Sequence, residues 1–131
     1  MDDSPRKGWW PDKKVRWYLL AAYTTAWTVA LLVPMPDGRG WSFHGINLKF
    51  LVVKGVHLGA YAVLAGLLGW LEIPSRYRWL LVFFLAGHAT ATEFFQQFIE
   101  GRTGMIQDIG IDLIGAGIGC AITWKWWTDP R

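Results

Sequence analysis

The chain has 131 residues, 53% of them hydrophobic, with a net charge of +3 and a positive mean hydropathy. A soluble domain of this length has too little interior to hide so many apolar side chains. The basic residues flank apolar runs instead of forming one patch, which argues against a nucleic-acid partner, and the lone Cys120 excludes an intrachain disulfide.

Four segments read as transmembrane helices in chain order. The first runs from Trp17 to Val33 and stops at Pro34 and Pro36; the second runs from about Phe50 to Leu71, stopped by Pro74. The third covers Trp79 to Ile99, and the fourth, the weakest, runs from about Ile106 to Trp124 and carries two aspartates. A span needs ~20 residues at ~1.5 Å each, so the second and third fit well and the other two are short but usable. The first follows a basic front, yet the Pro-Met-Pro-Asp-Gly after it offers no small-x-small cleavage site, so it reads as a permanent helix. The expected fold is all-α: a polytopic four-helix bundle over residues 17–127, a basic tail over 1–16, and a short end over 128–131.

Charge sets the orientation. Arg6, Lys7, Lys13, Lys14, Arg16, Arg76, Arg78, Lys125 and Arg131 lie on one side, against Arg39, Lys49 and Arg102 on the other. By the positive-inside rule both termini are expected in the cytoplasm. Trp9, Trp10, Trp17, Trp70, Trp79, Trp124, Trp126 and Trp127 fall at the predicted inner interface, and Trp41 in the first outer loop.

Lys54, His57, Glu93, Asp108 and Asp112 lie in or at the edge of these spans. Four ionised groups at helix centres would cost ~10–14 kcal/mol as an upper bound, so their depth matters. With this orientation all are expected within roughly 10 Å of the outer boundary. Lys54, His57 and Tyr61 share one helical stripe; Glu93, Gln96 or Gln97, and Glu100 make a second; Asp108 and Asp112 make a third. Three polar stripes at one depth can close on each other and give Lys54 a carboxylate partner. Gly55 with Gly59, and Gly115 with Gly119, are small-xxx-small pairs that would let helices approach. The bland alternative is a set of buried ion pairs that only fix helix register. His88 falls off the Glu93 face and is expected to hydrogen-bond in the bundle core, outside the site. Thr24, Thr25 and Thr28 are expected to bond between helices or to carbonyls one turn back, and Cys120 to pack.

These residues resemble the VanZ-like family, named for a teicoplanin-resistance protein. The family carries Lys-x-x-His-x-x-x-Tyr, matched by Lys54, His57 and Tyr61; then Glu-x-x-Gln, Gly-Arg, Asp and spaced glycines, matched by Glu93, Gln96, Gly101, Arg102, Asp108, Gly115 and Gly119. The match covers roughly residues 50 to 120. Three positions depart from it: Val53 where relatives carry an acid, Glu100 for a proline, and Asp112 for an asparagine. Asp112 adds a carboxylate one turn from Asp108, so one of the two is expected to lean on Lys54 or Arg102, or to keep a proton.

The resemblance implies an integral protein of the bacterial cytoplasmic (inner) membrane, whose outer-leaflet pocket handles a cell-wall precursor, a lipid-linked ligand or a glycopeptide and lowers glycopeptide susceptibility. Arg102 would clamp an anion, Lys54 and Glu93 would set the polarity of the pocket floor, and Tyr61 and Gln96 would orient the ligand. An intramembrane enzyme is the alternative, with Lys54, His57, Glu93, Asp108 and Asp112 as its catalytic set, Glu93 or His57 being the general acid/base. A proton-coupled transporter ranks below both, because four helices without an inverted repeat are few. No Gly-x-Ser-x-Gly or His-Glu-x-x-His motif is present. His57 with Asp108 and Asp112 is generic as a metal set, so neither metal nor cofactor is expected. Membrane lipids are the surrounding partner, and oligomerisation stays open.

Overall fold

Each apolar run becomes a helix whose ends are set by local chemistry. The computed structural model describes residues 11–35, 42–102 and 104–128. Arg6, Lys7, Trp9, Trp10, Pro36, Arg39, Trp41 and Arg131, used above for orientation and boundaries, lie outside the described residues. Helix α1 spans Lys13–Leu32 and ends at an extended Val33, the conformation that a following proline enforces. It takes in Lys13, Lys14 and Arg16, so part of the expected tail is helical.

Between α1 and the next helix lies an element that alternation did not signal. Strands β1 (Ser42–Phe43) and β2 (Ile46–Asn47) pair antiparallel around His44 and Gly45, both at positive φ, as a two-residue hairpin turn requires. Asn47 then caps α2 (Leu48–Trp70), its side-chain oxygen accepting from the Phe50 N–H at 3.1 Å. A short 3-10 turn over Ser75–Tyr77 leads into α3 (Arg78–Gln96). Helix α4 covers Ile106–Ile122, and a separate turn of helix, α5 (Trp124–Thr128), holds the last tryptophans. The described residues are thus all-helical apart from the small hairpin.

Helices α2 and α4 share the most extensive contact, and they run parallel. Cβ atoms added at Gly115 and Gly119 would strike the carbonyl oxygens of Leu58 and Ala62, four residues apart on both helices. The small-residue reading therefore applies to α4. It needs correction on α2, where Gly55 and Gly59 have open space around them. The core lies between the helices: Leu20 of α1, Tyr61, Leu64, Ala65 and Leu68 of α2, Leu85 and Ala89 of α3, and Ala116 of α4.

At one end of the bundle Arg16 reaches across from α1. Its guanidinium donates to the Trp70 carbonyl at 3.1 Å and to Glu72 at 3.2 Å and lies 5.1 Å from the Trp70 ring centre. A cation there closes the C-terminus of α2. The opposite end holds the end of α1, the start of α2, the end of α3 and the start of α4.

The outward surface is apolar. Tyr18, Trp79, Leu80, Phe83, Phe98, Ile106 and Ile122 are all strongly exposed, whereas His57, Thr92, Glu93, Gln96, Asp108 and Asp112 are buried. Among the described residues α2 alone is long and apolar enough to cross a membrane by length and composition. Helix α1 begins with three cations, and α4 has only 17 residues, two of them aspartates.

Candidate functional site

The parallel register of α2 and α4 builds the site. With Gly115 seated on Leu58, the preceding turns of α4 fall beside Lys54 and His57. The Lys54 ammonium pairs with the Asp108 carboxylate. One turn deeper, His57 Nδ1 donates to Asp112 Oδ1 at 2.9 Å, both side chains almost wholly buried. Neither aspartate leans on Arg102; Lys54 takes one and His57 the other.

Helix α3 brings Glu93 to the same place. Its Oε1 lies 3.9 Å from His57 Nδ1, and its Oε2 accepts the Met105 N–H at 3.0 Å. That bond comes from the backbone just before α4, a partner that side-chain periodicity could not signal. The connection itself is tight. After α3 the chain turns through Phe98 and Ile99 to Gly101, whose φ of +74° favours glycine. A Cβ added there would also press on the Met35 carbonyl at 3.0 Å.

Arg102, the expected anion clamp, has two of its nitrogens engaged within the chain. Its Nε donates to the Val33 carbonyl at 2.8 Å and its Nη2 to the Ala30 carbonyl at 2.6 Å, closing the end of α1. Desolvation pulls its pKa below the ordinary value, with nearby Glu93 acting in the opposite sense.

A cavity of about 240 Å³ opens at this end of the bundle. Lys54, His57, Gln96, Arg102 and Asp108 line it, with Phe50 and Met105 as apolar walls. Tyr61 is not on this cavity. It is fully enclosed, and its hydroxyl lies 2.8 Å from His88 Nδ1 and 3.5 Å from Thr92 Oγ1.

His88, set apart by the sequence reading, thus bonds to a residue on the candidate stripe, and the chain of bonds defines its tautomer. Thr28 donates to the Thr24 carbonyl at 2.7 Å, so at 2.8 Å from His88 Nε2 it accepts. Nε2 then carries the proton, and Nδ1 accepts from Tyr61. Trp27 is a further neighbour that the sequence did not single out; its ring stands edge-on to His57, with centroids 5.6 Å apart.

The comparisons with known proteins bear on this arrangement. A family model described as VanZ/LLP1 matches residues 17–127. The chain belongs to the VanZ/LLP1 family. No curated protein and no solved structure matches the chain significantly. The VanZ/LLP1 segment contains α2, α3 and α4 whole and α1 from Trp17 onward, and every cavity-lining residue named above lies within it.

Proposed function

We propose that this VanZ/LLP1 protein spans the bacterial cytoplasmic membrane four times, with both termini in the cytoplasm, and binds the polar end of a cell-wall or lipid-linked ligand in an outer-leaflet cavity. Residues 17–127 would form the membrane domain, with residues 1–16 and 128–131 in the cytoplasm. The single observation carrying this reading is the inverted surface: charged groups line a cavity inside while large apolar side chains face outward. The surplus of basic residues at the other end supports the orientation.

In this reading Lys54 and Arg102 draw an anionic headgroup toward the cavity, and Gln96 orients it. Arg102 does so with Nη1 while its other nitrogens hold α1. Tyr61, enclosed away from the cavity, has no ligand contact in this reading and holds His88 in the core instead. A contribution to teicoplanin resistance, as lowered glycopeptide susceptibility, belongs to the same proposal.

A second reading, acid/base catalysis on a lipid headgroup, is favoured by the bond between His57 and Asp112, which orients the imidazole as a proton carrier is oriented. Single Lys54→Gln, Glu93→Gln and Asp112→Asn variants would separate the two once membrane insertion is verified. Glycopeptide susceptibility and turnover of lipid-linked wall precursors would be measured together. A susceptibility change at constant turnover supports binding, and lost turnover supports catalysis. Unchanged phenotypes in all three inserted variants would leave only a structural role.

A further inference from the structure

We infer that His57, Glu93 and Asp112 form a binding site for one divalent transition-metal cation behind the cavity, which His57 alone of the three lines. Each offers a ligand atom, and the three atoms lie within 4.8 Å of one another. His57 Nδ1 stands 2.9 Å from Asp112 Oδ1 and 3.9 Å from Glu93 Oε1. Bond lengths of ~2.0–2.2 Å in a tetrahedral site put neighbouring ligand atoms about 3.4 Å apart. These two separations lie about 0.5 Å either side of that value and the third is at most 4.8 Å, so seating the ion draws the two carboxylates toward each other.

Charge balance points the same way. Glu93 and Asp112 are 2% and 0% exposed, and two carboxylates at such depth are costly unless neutralised. The cations nearest in the fold are otherwise engaged: Lys54 with Asp108, and Arg102 with the carbonyls of Val33 and Ala30. A divalent ion supplies the two positive charges. Among the described residues, Glu93 Oε1 and Asp112 Oδ2 are buried without a hydrogen-bond partner. These are free lone pairs on the very groups that would ligate.

The outer partners suit ligation as well. The Met105 N–H fixes Glu93 through Oε2 and leaves Oε1 for the ion. Trp27 packs edge-on against the His57 ring. One imidazole and two carboxylates suit Zn²⁺ or Mn²⁺. The cavity beside His57 provides the route in, and a position open to water or a headgroup oxygen. Ligation through Nδ1 breaks its hydrogen bond to Asp112, and the neutral imidazole carries its proton on Nε2 instead. The metal site does not depend on the ligand reading, because its test involves no wall precursor.

The test uses the full chain purified in detergent micelles. After chelator treatment, Zn²⁺ alone is titrated calorimetrically, and bound metal is counted by mass spectrometry. The expected result is one Zn²⁺ per chain, weakened about 100-fold in His57→Gln, Glu93→Gln and Asp112→Asn. To guard against variants that fail to fold, the wild-type chain is also loaded with Co²⁺, whose visible absorption should show a low-symmetry site with nitrogen and oxygen ligands. Absence of stoichiometric uptake by the wild-type chain would overturn the proposal. So would uptake that persists unchanged in folded Glu93→Gln and Asp112→Asn.

Discussion

Gly119 of α4 lies so close to Ala62 of α2 that a methyl group at Gly119 would collide with the Ala62 carbonyl. Gly115 meets Leu58 in the same way one turn earlier, and this seam holds Asp108 and Asp112 at the level of Lys54 and His57. Gly119→Ala must push the helices apart, since a backbone carbonyl cannot turn aside as a flexible side chain can. The expected loss is about 1–3 kcal/mol, read as a lower melting temperature in micelles. Gly59→Ala, with open space around it, should be neutral or more stable by up to about 1 kcal/mol, because alanine is the better helix former.

The ion pair of Lys54 and Asp108 is mostly buried. Lys54→Met leaves the Asp108 carboxylate without its partner and is expected to cost about 3–5 kcal/mol. Replacing both residues, Lys54→Met with Asp108→Leu, should recover most of that loss, because no unpaired charge remains. A double-mutant cycle on thermal unfolding measures the coupling, and additive effects would contradict the pairing.

Arg102 closes the end of α1 with two hydrogen bonds from one guanidinium. Arg102→Ala should destabilise the chain by about 1–3 kcal/mol. Arg102→Lys should restore little of it, since an ammonium cannot address two carbonyls with the same rigid fork. Comparing the melting temperatures of the two variants checks this, and full rescue by lysine would show that charge alone is at work.

The Tyr61 hydroxyl donates to a His88 nitrogen that is otherwise left without a donor. Tyr61→Phe is expected to cost about 1–2 kcal/mol while changing the volume little. The His88 ring signals in a nitrogen-15 NMR spectrum should shift with the loss of the bond. Constant ring signals would refute the assigned tautomer.

Orientation is open to labelling. In a Cys120→Ala background, His44→Cys sits in the exposed hairpin turn and Arg76→Cys in the exposed 3-10 turn at the other end. A membrane-impermeant maleimide applied to intact cells should label the first and reach the second only after permeabilisation. The reverse pattern would invert the proposed topology.

The sequence by itself determined the helical class, the approximate bounds of the four long helices and the stripe that carries Lys54 and His57. These follow from local periods and breakers: proline after α1, and apolar runs of about span length. Which carboxylate meets which base was decided only by the packed structure. The pairing of Lys54 with Asp108 and His57 with Asp112 depends on the register of two helices more than fifty residues apart in the chain, set where Gly115 and Gly119 touch α2. The same holds for Glu93, oriented by a backbone N–H from Met105, and for Arg102, drawn to the carbonyls of α1. Backbone donors and acceptors are alike at every residue, so no residue type announces them; they become partners only when the chain folds back on itself. Sequence periodicity thus put His57, Glu93 and Asp112 on their helix faces; the close seam between α2 and α4 joined His57 to Asp112, and the packing of α3 brought Glu93 beside them.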